Sequence, residues 1–376
     1  MSVSILRGAA SADFAILGGG LSGRLLAWRL AGDGARVALY ERGDASGRDA
    51  AAWVAAAMLA PLAESAVSEP LIAALGAASL EAWPALLAQL PEPVYFQREG
   101  TLIVWHTRDR AEATIFRQRL AHNAPPALYQ GGIEMLDAPA LGALEPALTG
   151  RFTQGMWLPR EGQLDNRQLL GALGAGLAER GVSCHFGIEM DGMPAAAGVT
   201  IDCRGLGAAA VLPRLRGIRG EVARVHAPGI GLRRPARLLH PRYPIYIAPK
   251  EDDLYVIGAT EIEGDDRSPV SVRSALELLS AAFSLHPAFG EARILELNSQ
   301  SRPTLADHRP ALLWSPQGRI RLNGLYRHGF MLAPAVTALA ADLARATLDG
   351  HCTSDQAFDN WRKASAWPEL LHLDAS

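Results

Sequence analysis

Asp13-Phe-Ala-Ile-Leu17-Gly18-Gly19-Gly20-Leu21-Ser22-Gly23, followed by Arg36-Val-Ala-Leu-Tyr40-Glu41, reads as strand, glycine turn, helix, strand and acid. That order suits the ADP half of a dinucleotide. Gly18 permits a tight turn, Gly20 lets backbone approach a pyrophosphate, and Gly23 lets helix and strand pack closely. Leu21 and Ser22 open the helix, whose first N–H groups and positive dipole end face the phosphates. Glu41 lies 21 positions after Gly20, near the spacing of a carboxylate on ribose hydroxyls. A lone glycine fingerprint means little in a chain with 37 glycines, and a structural turn would read the same way. Both strands, the Leu21/Leu25/Trp28 helical spacing and the acid agree with the nucleotide reading.

The 376 residues suffice for two domains, and 49% hydrophobic with 20% charged residues is a globular balance. A net charge of −3 gives no basic field, so no nucleic-acid partner is expected. Cys184, Cys203 and Cys352 form no metal-type spacing, and no metal is expected; a sparse, odd set suits a reducing compartment. The N-terminal stretch has no signal-peptide pattern. No apolar run is read as long enough to span a membrane, so a cytoplasmic location is expected. Homo-oligomerisation is left open.

Further along, Ala50 to Pro61 reads by itself as an Ala-rich helix. Leu71 to Leu90 is helical, kinked or divided at Pro84. Asn123 to Gly132 is loop. Asp165 caps a helix bearing Leu169, Leu170, Leu173 and Leu177. Val182 to Phe186 and Val199 to Cys203 are strands, and the chain there returns to the nucleotide domain. Pro244 to Ala248 and Leu254 to Gly258 flank a turn as a hairpin. Ser271 to Ser284 is a helix with Leu276, Leu279 and Phe283 on one side, and Val336, Leu339, Ala340 and Leu343 mark a C-terminal helix that starts after Pro334.

Several stretches together resemble the D-amino-acid oxidase family of FAD-dependent flavoproteins, with its glycine oxidase branch nearest. They are Gly18 to Gly23, Tyr40-Glu41-Arg42, Ala55 to Pro61, Gly162 to Asp165, Tyr246-Ile-Ala-Pro249, Val256 to Thr260, Arg302-Pro303 with Asp307 and Pro310, and Tyr326 to Pro334. The resemblance implies non-covalent FAD and an α/β fold: a Rossmann-type FAD domain with a second α+β substrate domain on a mostly antiparallel sheet. It divides the chain into 1–80, 161–218 and 301–376 for the FAD domain and 81–160 and 219–300 for the substrate domain. No cysteine falls within the Arg302 to Pro310 or Tyr326 to Pro334 motifs, which favours an untethered flavin. Two departures bear on the flavin ring's surroundings: Gly324-Leu-Tyr-Arg327 where the family has Gly-His-Phe-Arg, and Ala57 where it has glycine.

The resemblance further implies oxidation of a small amino acid or amine, such as glycine. The α-hydrogen passes as hydride to flavin N5, and the imine hydrolyses to oxo acid and ammonia. Oxygen is the expected acceptor, giving hydrogen peroxide. The alternatives are a dehydrogenase of the same fold that serves a quinone or carrier, and a flavin-binding subunit of a larger complex. Arg302 is the expected carboxylate anchor because a guanidinium fork binds two oxygens at once. The Tyr246 hydroxyl supports it, and Arg327 lies at the site's edge or answers charge on the reduced ring. Without the motifs, both arginines would read as surface ion-pair formers and Tyr246 as a core tyrosine. The expected cofactor contacts are Gly18, Gly20, Leu21, Ser22, Gly23, Glu41, Arg42, Ala57, Met58, Gly205, His328, Gly329, Phe330, Met331 and Leu332.

Overall fold

The computed structural model describes residues 12–190, 192, 197–241 and 245–374. Pro244, placed above at the head of a strand, lies outside them.

The opening stretch folds as its pattern dictates. Phe14–Leu17 is a strand buried at every position, Leu21–Gly32 is a helix, and Val37–Glu41 is the next strand. The two strands pair in parallel, Phe14 opposite Val37. Val199–Asp202 joins the other side of the first strand and Ser183–Phe186 the far side of the second, both in parallel. Arg319–Asn323 adds in parallel to Val199–Asp202 and turns back antiparallel into Ala311–Ser315; Leu371–Leu373 closes the edge. This seven-stranded sheet draws its strands from both ends and the middle of the chain. Against it lies a core containing Leu25, Leu30, Leu169, Leu173, Leu339 and Leu343, all 5% exposed or less.

The second sheet is mixed. Arg216–His226, Leu254–Gly258, Ile245–Pro249 and Ala236–Leu239 follow one another antiparallel, while Ala236–Leu239 meets Thr101–Trp105 in parallel. The long strand Arg293–Thr304 pairs antiparallel along Arg216–His226, setting Arg302 opposite Ile218. These two strands straddle the 218/219 and 300/301 divisions drawn from the sequence.

Several expectations are corrected. Pro70–Leu87 is one continuous helix, so it is not divided at Pro84, and the Pro84 carbonyl accepts from the Ala88 N–H at 3.1 Å. The C-terminal helix expected after Pro334 is Gly329–Leu348, so it starts before that proline, and a shorter helix, Asp355–Ala364, follows it. Pro334 cannot donate to the Phe330 carbonyl, and the Trp83 indole does so at 3.1 Å instead. Asn123 to Gly132 contains the short helix Pro126–Tyr129. On the helix Val272–Leu285, Leu276 and Phe283 are 61% and 54% exposed and Leu279 half-buried. The inward side is Leu278, Ala281, Ala282 and Leu285, whose small alanines bring the helix close to the sheet. Two helical segments, Pro70–Leu87 and Tyr326–Leu348, are after all long and apolar enough to span a membrane by composition. They bond to one another inside the fold: Ser79 accepts from the Ala335 N–H and donates to the Leu332 carbonyl.

Candidate active site

A cavity of about 1070 Å³ runs between the two sheets, from the glycine loop to the end of the strand bearing Arg302. Gly18 has φ +99°, and a Cβ there would lie 2.6 Å from the Cys203 carbonyl oxygen, so both conformation and crowding demand glycine. A Cβ on Gly23 would come within 1.9 Å of the Gly18 oxygen, which makes Gly23 a packing residue beneath the loop rather than part of the cavity wall. Gly18, Gly20, Leu21, Ser22, Glu41, Arg42 and Gly205 all line the wall. Gly20 caps the helix without a side-chain bond, so the first-turn N–H groups have no cap from their own chain. Glu41 accepts from the backbone N–H of Gly19 at 2.5 Å and Gly43 at 2.7 Å, and Arg42 pairs loosely with Glu189 at 3.7 Å.

The small-residue segment forms only one helical turn, Ala51–Val54, and then extends into Met58–Leu59, against the Ala-rich helix expected from it alone. Two buried donors hold it open. Asn166 Nδ2 bonds the carbonyls of Ala52 and Trp53 at 2.9 and 2.7 Å. Lys250 Nζ bonds those of Ala56 and Leu164 at 2.9 and 2.7 Å. Ala57 has φ +52°, a left-handed conformation that strains a side chain and that glycine adopts freely. Ala57 and Met58 face the cavity. His328, Gly329, Phe330 and Met331 face it from the start of the helix Gly329–Leu348, whereas Leu332 is wholly buried in the core.

At the far end stand the charged groups. Glu64 is gripped by Arg327 Nε at 2.9 Å, by Arg237 Nη2 at 2.5 Å and by His328 Nε2 at 3.0 Å. Burial opposes its ionisation, but Arg327 and Arg237 outweigh burial and hold the carboxyl well below the usual carboxylate range. Arg327 also bonds Glu261 at 2.9 Å, and Glu261 receives the Tyr326 hydroxyl. Tyr326 has φ +50°, a strained geometry for an aromatic residue that points its hydroxyl at Glu261. Burial lowers the His328 imidazole against the pull of Glu64, leaving it neutral near pH 7.

Arg302 differs from these arginines. Its Nη1 donates to the Thr260 carbonyl at 3.1 Å, and no carboxylate among the described residues pairs with it. It lines the cavity, and its guanidinium lies over Gly220, where a Cβ would come within 2.0 Å of Nη2. Tyr246 lines the same wall and feels the Arg302 charge, although burial raises its hydroxyl above the ordinary tyrosine range. Arg237, Arg302 and Arg327 against Glu64 and Glu261 leave one positive charge uncompensated. The structure thus gathers Tyr246, Arg302 and Arg327 at one end of the cavity. Sequence reasoning missed Glu64, Arg237 and Glu261, and it gave Tyr326 no role although that residue opens the Tyr326 to Pro334 motif. Glu261 carried a weaker signal, as the acid directly after Val256 to Thr260.

The model of the family described as FAD dependent oxidoreductase matches residues 13–343. A thiamine biosynthesis oxidoreductase, ThiO, of Rhizobium etli is 41% identical, covering 88% of this chain and 95% of its own length. A glycine oxidase of Geobacillus kaustophilus is 29% identical, covering 88% of this chain and 92% of its own length. The crystal structure of glycine oxidase from Geobacillus kaustophilus superposes with a TM-score of 0.78 at 26% identity, covering 90% of this chain and 95% of the other.

Proposed function

The chain belongs to the FAD-dependent oxidoreductase family, and from that premise we propose that it oxidises glycine or a comparably small amino acid with one free carboxylate. Its own residues fit the cofactor. The glycine loop and bare helix N-terminus suit the pyrophosphate, Glu41 suits the ribose, and the start of the helix Gly329–Leu348 suits a ring that gains negative charge. Cys203 stands beside Gly18 at the nucleotide end, and neither Cys184 nor Cys352 lines the cavity, so FAD is held without a covalent tether. When bound, FAD would supply the redox chemistry, as the acceptor of the substrate's α-hydrogen as hydride and the group that oxygen reoxidises with release of hydrogen peroxide.

The chain's part is recognition and positioning. Arg302 takes the substrate carboxylate through its fork, and the Tyr246 hydroxyl takes one carboxylate oxygen. Glu64 and Glu261 neutralise Arg327 and Arg237, so the end wall offers a single net positive charge. That charge matches one carboxylate, and it disfavours both uncharged amines and dicarboxylates. The imine hydrolyses to oxo acid and ammonia. The free cysteines suit a cytoplasmic setting, and the name of the Rhizobium etli relative favours a place in thiamine biosynthesis.

The unpaired Arg302 guanidinium on the cavity wall carries this reading. The purified protein should be yellow, and anaerobic titration with a panel of small amino acids and amines should bleach it with the carboxylate-bearing members alone. Oxygen uptake compared with dye reduction on the best substrate then identifies the acceptor. No bleaching by any small amino acid would reject the proposal.

A further inference from the structure

Arg24 sits directly under the glycine loop and is 1% exposed. Its Nε donates to the Gly19 carbonyl at 2.7 Å, Nη1 to that of Leu170 at 2.9 Å and Nη2 to that of Ala45 at 2.7 Å. The place is shaped for it. A Cβ on Gly47 would meet Nη2 at 3.1 Å, and one on Gly174 would meet Nη1 at 3.2 Å. All three bonds end on neutral carbonyls, and among the described residues no carboxylate pairs with this guanidinium. Glu41 and Asp44 act on it only through space, while burial works against its charge. A buried arginine with no bonded counter-ion is costly, because its charge has lost water and the Glu41 and Asp44 carboxylates answer it only at a distance.

What stands in front of it supplies the missing charge. Gly19 is held at both ends: Glu41 takes its N–H and Arg24 its carbonyl. The carbonyl held by Arg24 belongs to the peptide joining Gly19 to Gly20. A trans peptide points its N–H opposite to its C=O, so Arg24 turns the Gly20 N–H away from itself, and Gly20 lies on the cavity wall. We propose that Arg24 is a positioning residue for the cofactor's pyrophosphate: it fixes the Gly19–Gly20 peptide with its N–H toward the phosphates and is the buried positive charge that their negative charge compensates. The proposal concerns the binding of FAD and is independent of which substrate is oxidised.

The experiment compares ADP with adenosine, which lacks the phosphates, on the apoprotein by calorimetric titration. Arg24→Met removes the charge and its bonds while keeping the bulk. The expected result is at least a tenfold weaker Kd for ADP with adenosine affinity within about twofold, given the strength of charge interactions across a few ångströms of protein. Equal losses for both ligands would show that Arg24 only supports the fold, and unchanged ADP affinity would show that it does nothing for the phosphates; either overturns the proposal. Arg24→Lys keeps the charge and should hold the ADP preference over adenosine within about threefold. If Arg24→Met does not fold, that ratio decides, and a tenfold loss of preference in Arg24→Lys overturns the charge role.

Discussion

The guanidinium of Arg302 occupies the space that a side chain on Gly220 would fill, with Nη2 at 2.0 Å from the position of a Cβ there. Gly220 and Arg302 lie on neighbouring strands of the mixed sheet, so the anchor's position depends on the missing side chain of the strand beside it. Gly220→Ala should therefore displace Arg302 while leaving the nucleotide end intact. The expected outcome is unchanged FAD content with KM for the amino acid raised about tenfold or more, read from steady-state kinetics on the yellow protein.

Glu64 serves three partners at once, and losing it takes this ion pair from the half-buried Arg237 and leaves Arg327 with Glu261 alone. Glu64→Gln should destabilise the protein by about 3–5 kcal/mol, the usual cost of breaking a buried ion pair from one side. Thermal denaturation of the two proteins checks this. The wild type carries a linked pH dependence: the Glu64 carboxyl is held below its unfolded value, so its contribution is present above about pH 4.5 and is lost as the pH falls through the folded value. The variant should lack that acid-side loss.

Glu161 shows the opposite sign. It is wholly buried, its Oε1 accepts the Ala63 N–H at 2.7 Å, and the Thr101 hydroxyl is the other polar group that acts on the carboxyl. Burial pushes this carboxyl up from 4.5 to about 7. Its contribution is then full below pH 4.5 and is lost as the pH rises through 7. Glu161→Gln keeps an acceptor without a proton to lose, so relative to wild type it should gain up to about 3 kcal/mol between those limits. Denaturant midpoints measured across that range decide it.

Trp83→Phe tests how the helix Gly329–Leu348 tolerates Pro334. The indole is the donor that the Phe330 carbonyl receives, and phenylalanine supplies none. The variant should lose about 1–3 kcal/mol, the cost of a buried unpaired carbonyl, with little change in KM. A loss much below that range by chemical denaturation would mean that the carbonyl finds another partner.

The nucleotide half was readable because local pattern and tertiary need coincide there. Phe14 to Leu17 is apolar throughout because both faces of the strand are covered, and Gly18 and Gly23 are glycines because backbone fills the space beside them. Asp165 was readable as a cap for the same reason, since its carboxylate bonds N–H groups two and three residues on. The Ala50 to Pro61 segment misled because its conformation is imposed by Asn166 and Lys250, which are more than a hundred residues away. The helix start at Gly329 was hidden because Pro334 is a helix breaker until Trp83 takes over its hydrogen bond. Glu64 and Arg237 carry no local signature, since an ion pair joining positions 64 and 237 exists only after folding.

The most direct measurement is the turnover of Arg302→Ala on glycine, or on the best small amino acid found, with FAD occupancy measured in the same sample. The account predicts full FAD content and a kcat/KM lower by about 30- to 1000-fold, equivalent to about 2–4 kcal/mol of transition-state binding. Unchanged kcat/KM with FAD in place would contradict it, because the substrate carboxylate would then be held elsewhere.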